Sequence, residues 1–227
     1  MALILNLESK GLPVLAARLA AGAQQGRWRG VFVTGSDTGV GKTVVTCALL
    51  RELSGRIPVA GLKPIACGGR EDAEAFAGSQ AMKFSVATIN PVHLPKPMSP
   101  LAQKRPGWSE MMARIRRSLR KYDEAGVRLT LVEGAGGWLC PIDERHAMRE
   151  LALALKLPVL VVAANRLGSL NHVLLTLESL KGTGLACVGV VMNCFDDWPD
   201  LSKESNAAWV ARLGRLPVYI CGKNGAN

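Results

Sequence analysis

The sequence is poor in the residues that build metal centres, disulfide frameworks and membrane spans. Its 227 residues include three histidines, and aromatic residues make up 5% of the chain. The six cysteines form no CxxC pair and show no ligand-like spacing with the histidines, which argues against a zinc site and a disulfide framework. No apolar run approaches the roughly 20 residues of a membrane-spanning helix. We therefore expect a protein of a reducing compartment, cytoplasmic, with no membrane partner.

Acidic residues are also scarce relative to basic ones. The chain has 18 Asp and Glu against 28 Lys and Arg, a formal net charge of +10. Nucleic acid, an acidic surface and a polyanionic nucleotide are all compatible with this balance. Many of the basic residues fall between residues 104 and 121, where Trp108 is the single aromatic residue, so no series of aromatic side chains is interleaved to stack on nucleic-acid bases. We interpret this segment as a solvated helix face and predict no nucleic-acid partner.

A glycine-rich turn follows the apolar run Val31–Thr34 and leads into a helix that starts at Lys42. Helix-start amides and the helix dipole attract phosphate oxygens. Lys42 is then expected to reach the outer phosphates of a nucleotide, and the Thr43 hydroxyl to ligate Mg²⁺. One position departs from the usual phosphate-loop pattern, because the first glycine is Gly35 and Ser36 stands where glycine is usual.

Apolar strand patterns alternate with helical patterns over the rest of the chain. Strands are predicted at Val31–Thr34, Val59–Leu62, Leu129–Glu133, Val159–Ala163, Val188–Met192 and Val218–Ile220. Helices are predicted at Lys42–Leu53, Ser109–Tyr122, His146–Leu155, Leu170–Leu180 and Lys203–Leu213. This order predicts an α/β fold with a doubly wound, mostly parallel sheet, helices on both faces and a single domain of the P-loop NTPase type.

Residues 1–27 precede the first of these strands and carry Leu12, Leu15, Ala16 and Leu19 at helical spacing. An extra N-terminal helix, an over-called start codon and an organelle transit peptide are the alternatives for this segment. We treat residues 1–27 as an extension of unknown role and residues 28–227 as the domain.

Polar side chains follow several of the predicted strands, where ligands gather in such sheets. Lys63 comes directly after the second strand, and Glu133 ends the third, where a carboxylate can hold Mg²⁺. The small residues after Glu133 let a phosphate approach the backbone. A second metal oxygen is expected from Glu71, Asp72 or Glu74, and Asn193 is placed to pair with an adenine edge.

Together these motifs resemble the dethiobiotin synthetase family, the ATP-dependent ring-closing enzymes of biotin synthesis. In that family, too, the first glycine of the phosphate loop stands at the position of Gly35. The matching segments, which stand in order across about residues 30–220, are 34–43, 61–66, Asn90-Pro91, Ser99-Pro100, 132–137, 158–162, 167–172 and Asn193.

The resemblance implies a reaction in which ATP, CO2 and 7,8-diaminononanoate give dethiobiotin, ADP and phosphate. It implies catalytic roles for Lys63, Lys42 and Thr38, and Mg²⁺ held by Thr43, Asp72 and Glu133. The nucleotide contacts that it implies are Gly39, Val40, Gly41, Lys42, Thr43, Val44, Asp72, Glu133, Gly134, Ala135, Gly136 and Asn193, with Pro217, Val218 and Tyr219 lining the base pocket. On the substrate side it implies Cys67, together with Gly168, Ser169, Leu170 and Asn171, which reach the active site across a homodimer interface.

Two residues depart from the family pattern, both on the substrate side. Leu101 stands where the family commonly has histidine, and Cys67 where a small hydroxyl residue is usual. Two other functions are alternatives to dethiobiotin synthesis: a cobyrinate-type amide-forming enzyme without its glutaminase domain, and a ParA- or MinD-like ATPase switch. Such switches usually carry a second lysine early in the phosphate loop, where this chain has Gly35 and Ser36.

Overall fold

A computed structural model describes residues 10–194 and 199–222 of the chain. Nine strands lie in this part of the chain: β1 (Lys10–Gly11), β2 (Gly30–Gly35), β3 (Val59–Leu62), β4 (Ile65–Cys67), β5 (Val92–Leu94), β6 (Leu129–Gly137), β7 (Val159–Ala164), β8 (Cys187–Asn193) and β9 (Val218–Cys221). The helices are α1 (Leu12–Gln24), α2 (Lys42–Ser54), α3 (Glu71–Ser79), α4 (Val86–Ile89), α5 (Trp108–Glu124), α6 (Met148–Leu155), α7 (Ser169–Lys181) and α8 (Lys203–Gly214), with a short 3-10 turn at Pro100–Ala102.

Seven of the strands form one sheet in the order β1-β9-β8-β7-β2-β6-β3, and the pairs between them are parallel. The strands β4 and β5 pair separately in a two-stranded parallel sheet. The predicted doubly wound parallel sheet is therefore confirmed. Because all strands of the main sheet run the same way, their carboxyl ends meet at one rim.

Helices cover both faces of the main sheet, as parallel sheets require. Alternate residues of β2 point to opposite faces: Val31 and Val33 join the cluster under α1, α2 and α3, whereas Phe32 joins the cluster under α5, α6, α7 and α8. The side chains of β2 are fully buried. This two-sided burial explains why the strands are continuous apolar runs in the sequence.

The segment before β2 packs onto the rest of the domain. Leu12, Leu15, Ala16 and Leu19, the residues at helical spacing, are buried on α1 in the first of the two clusters. Arg18 of the same helix donates hydrogen bonds to the Val188 carbonyl and the Tyr219 hydroxyl, at 2.9 and 3.0 Å. The described part of the predicted extension, residues 10–27, therefore shares the core of the domain.

The basic segment that precedes and includes α5 has its charges on the surface. Arg116, Arg117, Arg120 and Lys121 are exposed, while Met111, Met112, Ile115 and Tyr122 of the same helix are buried. Within the described residues, no helix is both long and apolar enough to cross a membrane.

Candidate active site

The glycine-rich loop between β2 and α2 has the backbone shape of an anion cradle. Gly39 and Gly41 adopt φ angles of 74° and 84°, in the left-handed region that favours glycine. The first amides of α2 have no acceptor within the helix and point toward the loop's concave side. A Cβ at position 35 would lie 2.5 Å from the Asp37 carbonyl oxygen and 3.1 Å from Nζ of Lys42. Glycine is therefore required at position 35, because the loop passes close to the end of its own strand.

Lys42 is a buried cation without a partner among the described residues. The residue is 7% exposed, and its Nζ has no hydrogen bond or ion pair with another residue of the described ranges. Burial, and secondly the positive charge of Lys63, lower the pKa of Lys42. An uncompensated ammonium in such a place is stabilised by an incoming anion.

Lys63 forms the centre of a second polar group, which we call the Lys63 cluster: Lys63, Thr43, Asp72 and Glu133. Nζ of Lys63 lies 2.7 Å from Oδ2 of Asp72 and 2.7 Å from Oε1 of Glu133. Oγ1 of Thr43 lies 2.8 Å from Oδ1 of Asp72 and 2.9 Å from Oε1 of Glu133. The three residues expected to hold Mg²⁺ are thus brought together around one lysine.

The charges of the Lys63 cluster shift each other's proton affinities. Burial by itself lowers the pKa of Lys63, but attraction to Glu133 and then to Asp72 outweighs it, so the pKa of Lys63 lies above its usual value. Burial by itself raises the pKa of Asp72, but the ammonium of Lys63 and hydrogen bonds from Lys63 and Thr43 bring it below its usual value. The lysine and Asp72 are therefore charged at neutral pH.

Two residues that support this cluster were missed at the level of sequence. The Thr46 hydroxyl donates to Oε2 of Glu133 at 2.7 Å, and Nδ2 of Asn90 donates to the Lys63 carbonyl at 2.9 Å. Thr46 lies one helical turn after Thr43, so their common helix face was a signal that could have been used. The segment Asn90-Pro91 was matched as a motif, but nothing in its sequence predicts a hydrogen bond from Asn90 to the backbone of Lys63.

The donor set of the cluster suits a hard divalent cation. Carboxylate and hydroxyl oxygens are the ligands that Mg²⁺ takes from protein, usually with phosphate oxygens and water completing its shell. Within the described ranges there is no group of three or more His, Cys, Asp or Glu residues that could hold a metal ion by itself. Of the three acids left open by the sequence, Asp72 contacts Thr43 and Lys63, Glu71 lines the nearby cavity, and Glu74 is exposed on α3.

One cavity of about 620 Å³ connects the phosphate loop with the Lys63 cluster. Its floor carries Lys42, Lys63 and Glu133, and Thr38 stands at its edge as an exposed residue. The remaining lining residues are Gly39, Gly41, Thr43, Ala66, Cys67, Gly69, Glu71, Asp72, Pro97, Met98, Ser99, Pro100, Ala135, Gly136 and Cys140. The cavity is large enough for a polyphosphate tail and a small acceptor together.

Cys67 and Leu101, the two residues that depart from the family pattern, differ in their position relative to the cavity. Cys67 lines the cavity, and so does Cys140; burial raises the pKa of both thiols, which keeps them protonated at neutral pH. Leu101 is 40% exposed on the 3-10 turn and is not among the residues that line the cavity. Of the two residues, only Cys67 therefore faces the cavity.

Asn193, at the end of β8, is buried beside the phosphate loop. Its Nδ2 donates to the Val40 carbonyl at 3.1 Å, and its Oδ1 has no hydrogen-bond partner in the described part of the chain. That free acceptor is compatible with an amino group of a nucleotide base.

Val44 and Gly134 are two more of the nucleotide contacts that the resemblance implies. Val44 is 41% exposed on α2, and the Gly134 carbonyl lies 3.5 Å from Nζ of Lys63.

Val218 and Tyr219 lie in the first half of β9, and Pro217 directly precedes that strand, so all three are too far from the sheet rim to line a pocket beside Asn193. In the β8–β9 pair Asn193 is level with Cys221, whereas Val218 is level with Val190. Successive strand residues rise about 3.3 Å, which places Val218 roughly 10 Å from the rim. Tyr219 is also buried, with its hydroxyl bonded to Arg18. The expected base-pocket role of these three residues is therefore wrong: Val218 and Tyr219 belong to the two core clusters, and Pro217 lies one residue farther from the rim.

The segment Gly168–Asn171 begins α7 near the carboxyl end of β7. Gly168 has a φ angle of 86°, and the buried Ser169 hydroxyl donates to the Ala164 carbonyl. Leu170 is partly buried, whereas Asn171 is exposed. None of the four residues lines the cavity of this single chain.

Comparison with known proteins agrees with the geometry. A family model described as an AAA domain matches residues 29–221. The ATP-dependent dethiobiotin synthetase of Akkermansia muciniphila is 37% identical over 193 residues, which cover 84% of this chain and 90% of that protein. The enzyme of the same name from Anaeromyxobacter dehalogenans is 41% identical over 191 residues, or 82% and 85% of the two chains.

Among solved structures, a MinC:MinD cell division protein complex from Aquifex aeolicus matches 86% of this chain and 81% of its own, with a TM-score of 0.54 and 13% identity. This distant likeness shows a shared fold and nothing more. The identities to the curated enzymes extend over most of both chains and are far higher. The chain belongs to the family of ATP-dependent dethiobiotin synthetases.

Proposed function

We propose that the protein carries out the ATP-dependent carboxylation and ring closure of 7,8-diaminononanoate with CO2, giving dethiobiotin, ADP and phosphate. The observation that supports this best is the joint position of Lys42 and the Lys63 cluster on the wall of one cavity. A phosphoryl acceptor and a polyphosphate tail can both be held there. The relatives that carry the name dethiobiotin synthetase match over most of this chain.

The reaction has three stages that balance without another reactant. One amine of the substrate adds to CO2 and loses a proton, which gives a carbamate. A carbamate oxygen then takes the γ-phosphoryl group of ATP and ADP leaves. The second amine attacks the carbamate carbon, loses a proton and expels phosphate as the cyclic urea forms.

The residues of the cavity meet the physical demands of these stages. The phosphoryl group in flight carries dispersed negative charge, which the Lys42 ammonium and the loop amides stabilise from fixed positions. Lys63 is placed to hold the carbamate, an anion that forms when the amine and CO2 are oriented together. Thr38 stands at the edge of the same cavity, within the loop that would border the reacting groups.

Mg²⁺ is the metal that we propose for the site, held through Thr43, Asp72 and Glu133. When bound, it neutralises charge on the phosphate oxygens. Glu133 is fully buried and keeps a hydrogen bond from Thr46, so its carboxylate is fixed in place. Asp72 lies at the start of α3, where the helix dipole favours its negative charge.

We also propose that the active enzyme is a cytoplasmic homodimer with the active site at the subunit interface. Gly168 and Asn171 are exposed near the sheet rim without lining the cavity of their own chain. Leu167 and Leu175, beside them, are 80% and 62% exposed. Apolar side chains of this size on one surface are covered at little cost by a second subunit.

The decisive experiment measures ADP release by the full chain with Mg²⁺ and ATP, alone and with diaminononanoate, bicarbonate or both. The proposal predicts strong stimulation only when both are present, together with dethiobiotin as the product. A switch of the ParA or MinD kind would instead respond to DNA or membrane vesicles. ADP release that ignores the diamine and bicarbonate would contradict the proposed function. Stimulation by glutamine and a carboxylic acid would indicate the amide-forming alternative.

A further inference from the structure

Lys63 occupies the place among the carboxylates that a cation would take. Its Nζ contacts Oδ2 of Asp72 and Oε1 of Glu133 at 2.7 Å each, and Oγ1 of Thr43 contacts the same two carboxylates. The oxygens proposed for the metal are thus already turned toward an ammonium group. Glu133 is 0% exposed and cannot use solvent as compensation. A buried carboxylate requires a nearby positive charge.

We infer that Lys63 is the displaceable internal cation of the metal site: its ammonium and a divalent ion exclude each other from the Asp72–Glu133 pair. The inference rests on the proposed function and assigns an order to it. In the metal-free protein Lys63 offsets one of the two carboxylate charges; after metal entry its ammonium is released into the cavity, toward the place proposed for the carbamate.

Charge balance supports the exclusion. Asp72 and Glu133 together carry two negative charges, which one divalent cation would match. Were Lys63 to stay in contact, three positive charges would lie within a few ångströms, with Lys42 adding a fourth nearby. Unit charges at such distances in a partly buried site repel each other strongly. Leaving the pair is therefore the favourable course for Lys63.

The backbone around Lys63 confines this change to the side chain. Its amide donates to the Ile89 carbonyl at 2.8 Å, and its carbonyl accepts from Nδ2 of Asn90 at 2.9 Å. The side chain lines the cavity, and a lysine stem has four rotatable bonds. The ammonium can thus leave the carboxylates while the backbone of residue 63 stays in place.

Lys42 supplies an internal comparison for this inference. It lines the same cavity and carries the same charge, but it has no ion pair with the carboxylates. Removing either lysine deletes one positive charge from the cavity. Only the removal of Lys63 also vacates the space between Asp72 and Glu133. The two variants therefore separate competition for the site from long-range repulsion.

The test is a Mn²⁺ titration of the nucleotide-free full-length chain, with free Mn²⁺ measured by electron paramagnetic resonance. Lys63→Met is expected to bind Mn²⁺ about tenfold or more tightly than the parent, because the competing cation is gone. Lys42→Met is expected to change the affinity less than about threefold. Equal affinity of the parent and Lys63→Met, an equal gain in Lys42→Met, or no Mn²⁺ binding by Lys63→Met would overturn the inference.

A measurement on the parent protein covers the case in which Lys63→Met does not fold. Acetylation of lysines by acetic anhydride, mapped by peptide mass spectrometry, reports on the freedom of each amine. Labelling of Lys63 should rise severalfold on addition of Mn²⁺, while labelling of Lys181, on the surface, stays constant. Protection of Lys63 that persists to the highest Mn²⁺ concentration would overturn the inference.

Failure of the inference can be told apart from failure of the proposed function. A parent that makes dethiobiotin, with no gain of Mn²⁺ affinity in Lys63→Met, refutes only the displacement. A gain of affinity in Lys63→Met, with no dethiobiotin made by the parent, refutes the function and leaves the displacement standing.

Discussion

Nζ of Lys63 and Oε1 of Glu133 lie 2.7 Å apart, and the two side chains are 6% and 0% exposed. The residues are 70 positions apart in the chain. Their pairing connects the edge strand β3 with its neighbour β6 at the rim of the sheet. Breaking such a buried pair from one side leaves an uncompensated charge, which costs far more than the pair itself contributes.

Glu133→Gln should therefore destabilise the protein by about 3 kcal/mol, because Lys63 would lose its fully buried partner and keep only Asp72, whose side chain is 40% exposed. Urea-induced unfolding of the parent and variant at neutral pH measures the change. Glu74→Gln is the matched control, because Glu74 is exposed on α3; its effect should stay within about 0.5 kcal/mol. Equal stabilities of parent and Glu133→Gln would contradict the role given to this pair.

Replacing the two lysines of the cavity by alanine should have different effects on ATP binding and on turnover. Lys63→Ala should lower dethiobiotin formation about 10²–10³-fold while ATP binding persists, because Lys42 and the loop amides still hold the nucleotide. Lys42→Ala should weaken ATP binding as well as turnover. Calorimetric ATP titrations and product assays separate the two. The assignment of Lys63 would be wrong if Lys63→Ala turned over the diamine at the parent rate.

Acid should weaken the fold partly through Asp72. Its pKa in the folded protein lies below the usual 3.8, so the unfolded chain binds a proton more readily and stability falls as pH decreases through this range. The contribution of Asp72 is fully present above pH 3.8 and is lost at lower pH. The free energy of unfolding of Asp72→Asn should thus fall less between pH 5 and pH 3 than that of the parent.

Asp123→Asn provides the control for that acid series, because Asp123 is exposed on α5 and has no ion pair with a described residue. It should follow the parent curve. Parallel pH curves for Asp72→Asn and the parent would show that Asp72 is not stabilised by the ammonium of Lys63.

The proposed dimer predicts complementation between two inactive variants. Lys42→Ala disables the nucleotide side of its own subunit, and Asn171→Ala disables the segment that a subunit offers to its partner. After mixing and exchange, about half of the dimers are hybrids with one intact site, so activity should recover to about a quarter of the parent value. Mixtures that stay as inactive as the separate variants would count against a shared site.

Local patterns were sufficient for most of the sheet. Val59–Leu62 was predicted with the bounds that the structure shows, and the other five predicted strands differ by one to four residues at an end. Buried parallel strands are continuous apolar runs, so each is visible without knowledge of its neighbours. The helix start at Lys42 could be predicted equally well, because Gly39 and Gly41 indicate a turn before it.

Short and register-dependent features could not be predicted in the same way. The strands β4 and β5 have three residues each, too few for any periodicity to be read. Among Glu71, Asp72 and Glu74 the residue types gave no reason to choose, since all three suit the start of a helix, and only the family resemblance pointed to Asp72. The family resemblance implied a base pocket lined by Pro217, Val218 and Tyr219, but strand register places them below the rim.

The succession of strands and helices along the chain, the phosphate loop and the family of this protein follow from its sequence by itself, because burial on both faces and left-handed glycines leave marks on consecutive residues. The tertiary structure alone decided that Asp72, Glu133 and Thr43 meet around Lys63, and that Lys42 faces the cavity without a partner among the residues that the structure describes. Those contacts join residues from separate loops. They arise because parallel strands bring their carboxyl ends to a common edge, where charges distant in the chain must balance one another.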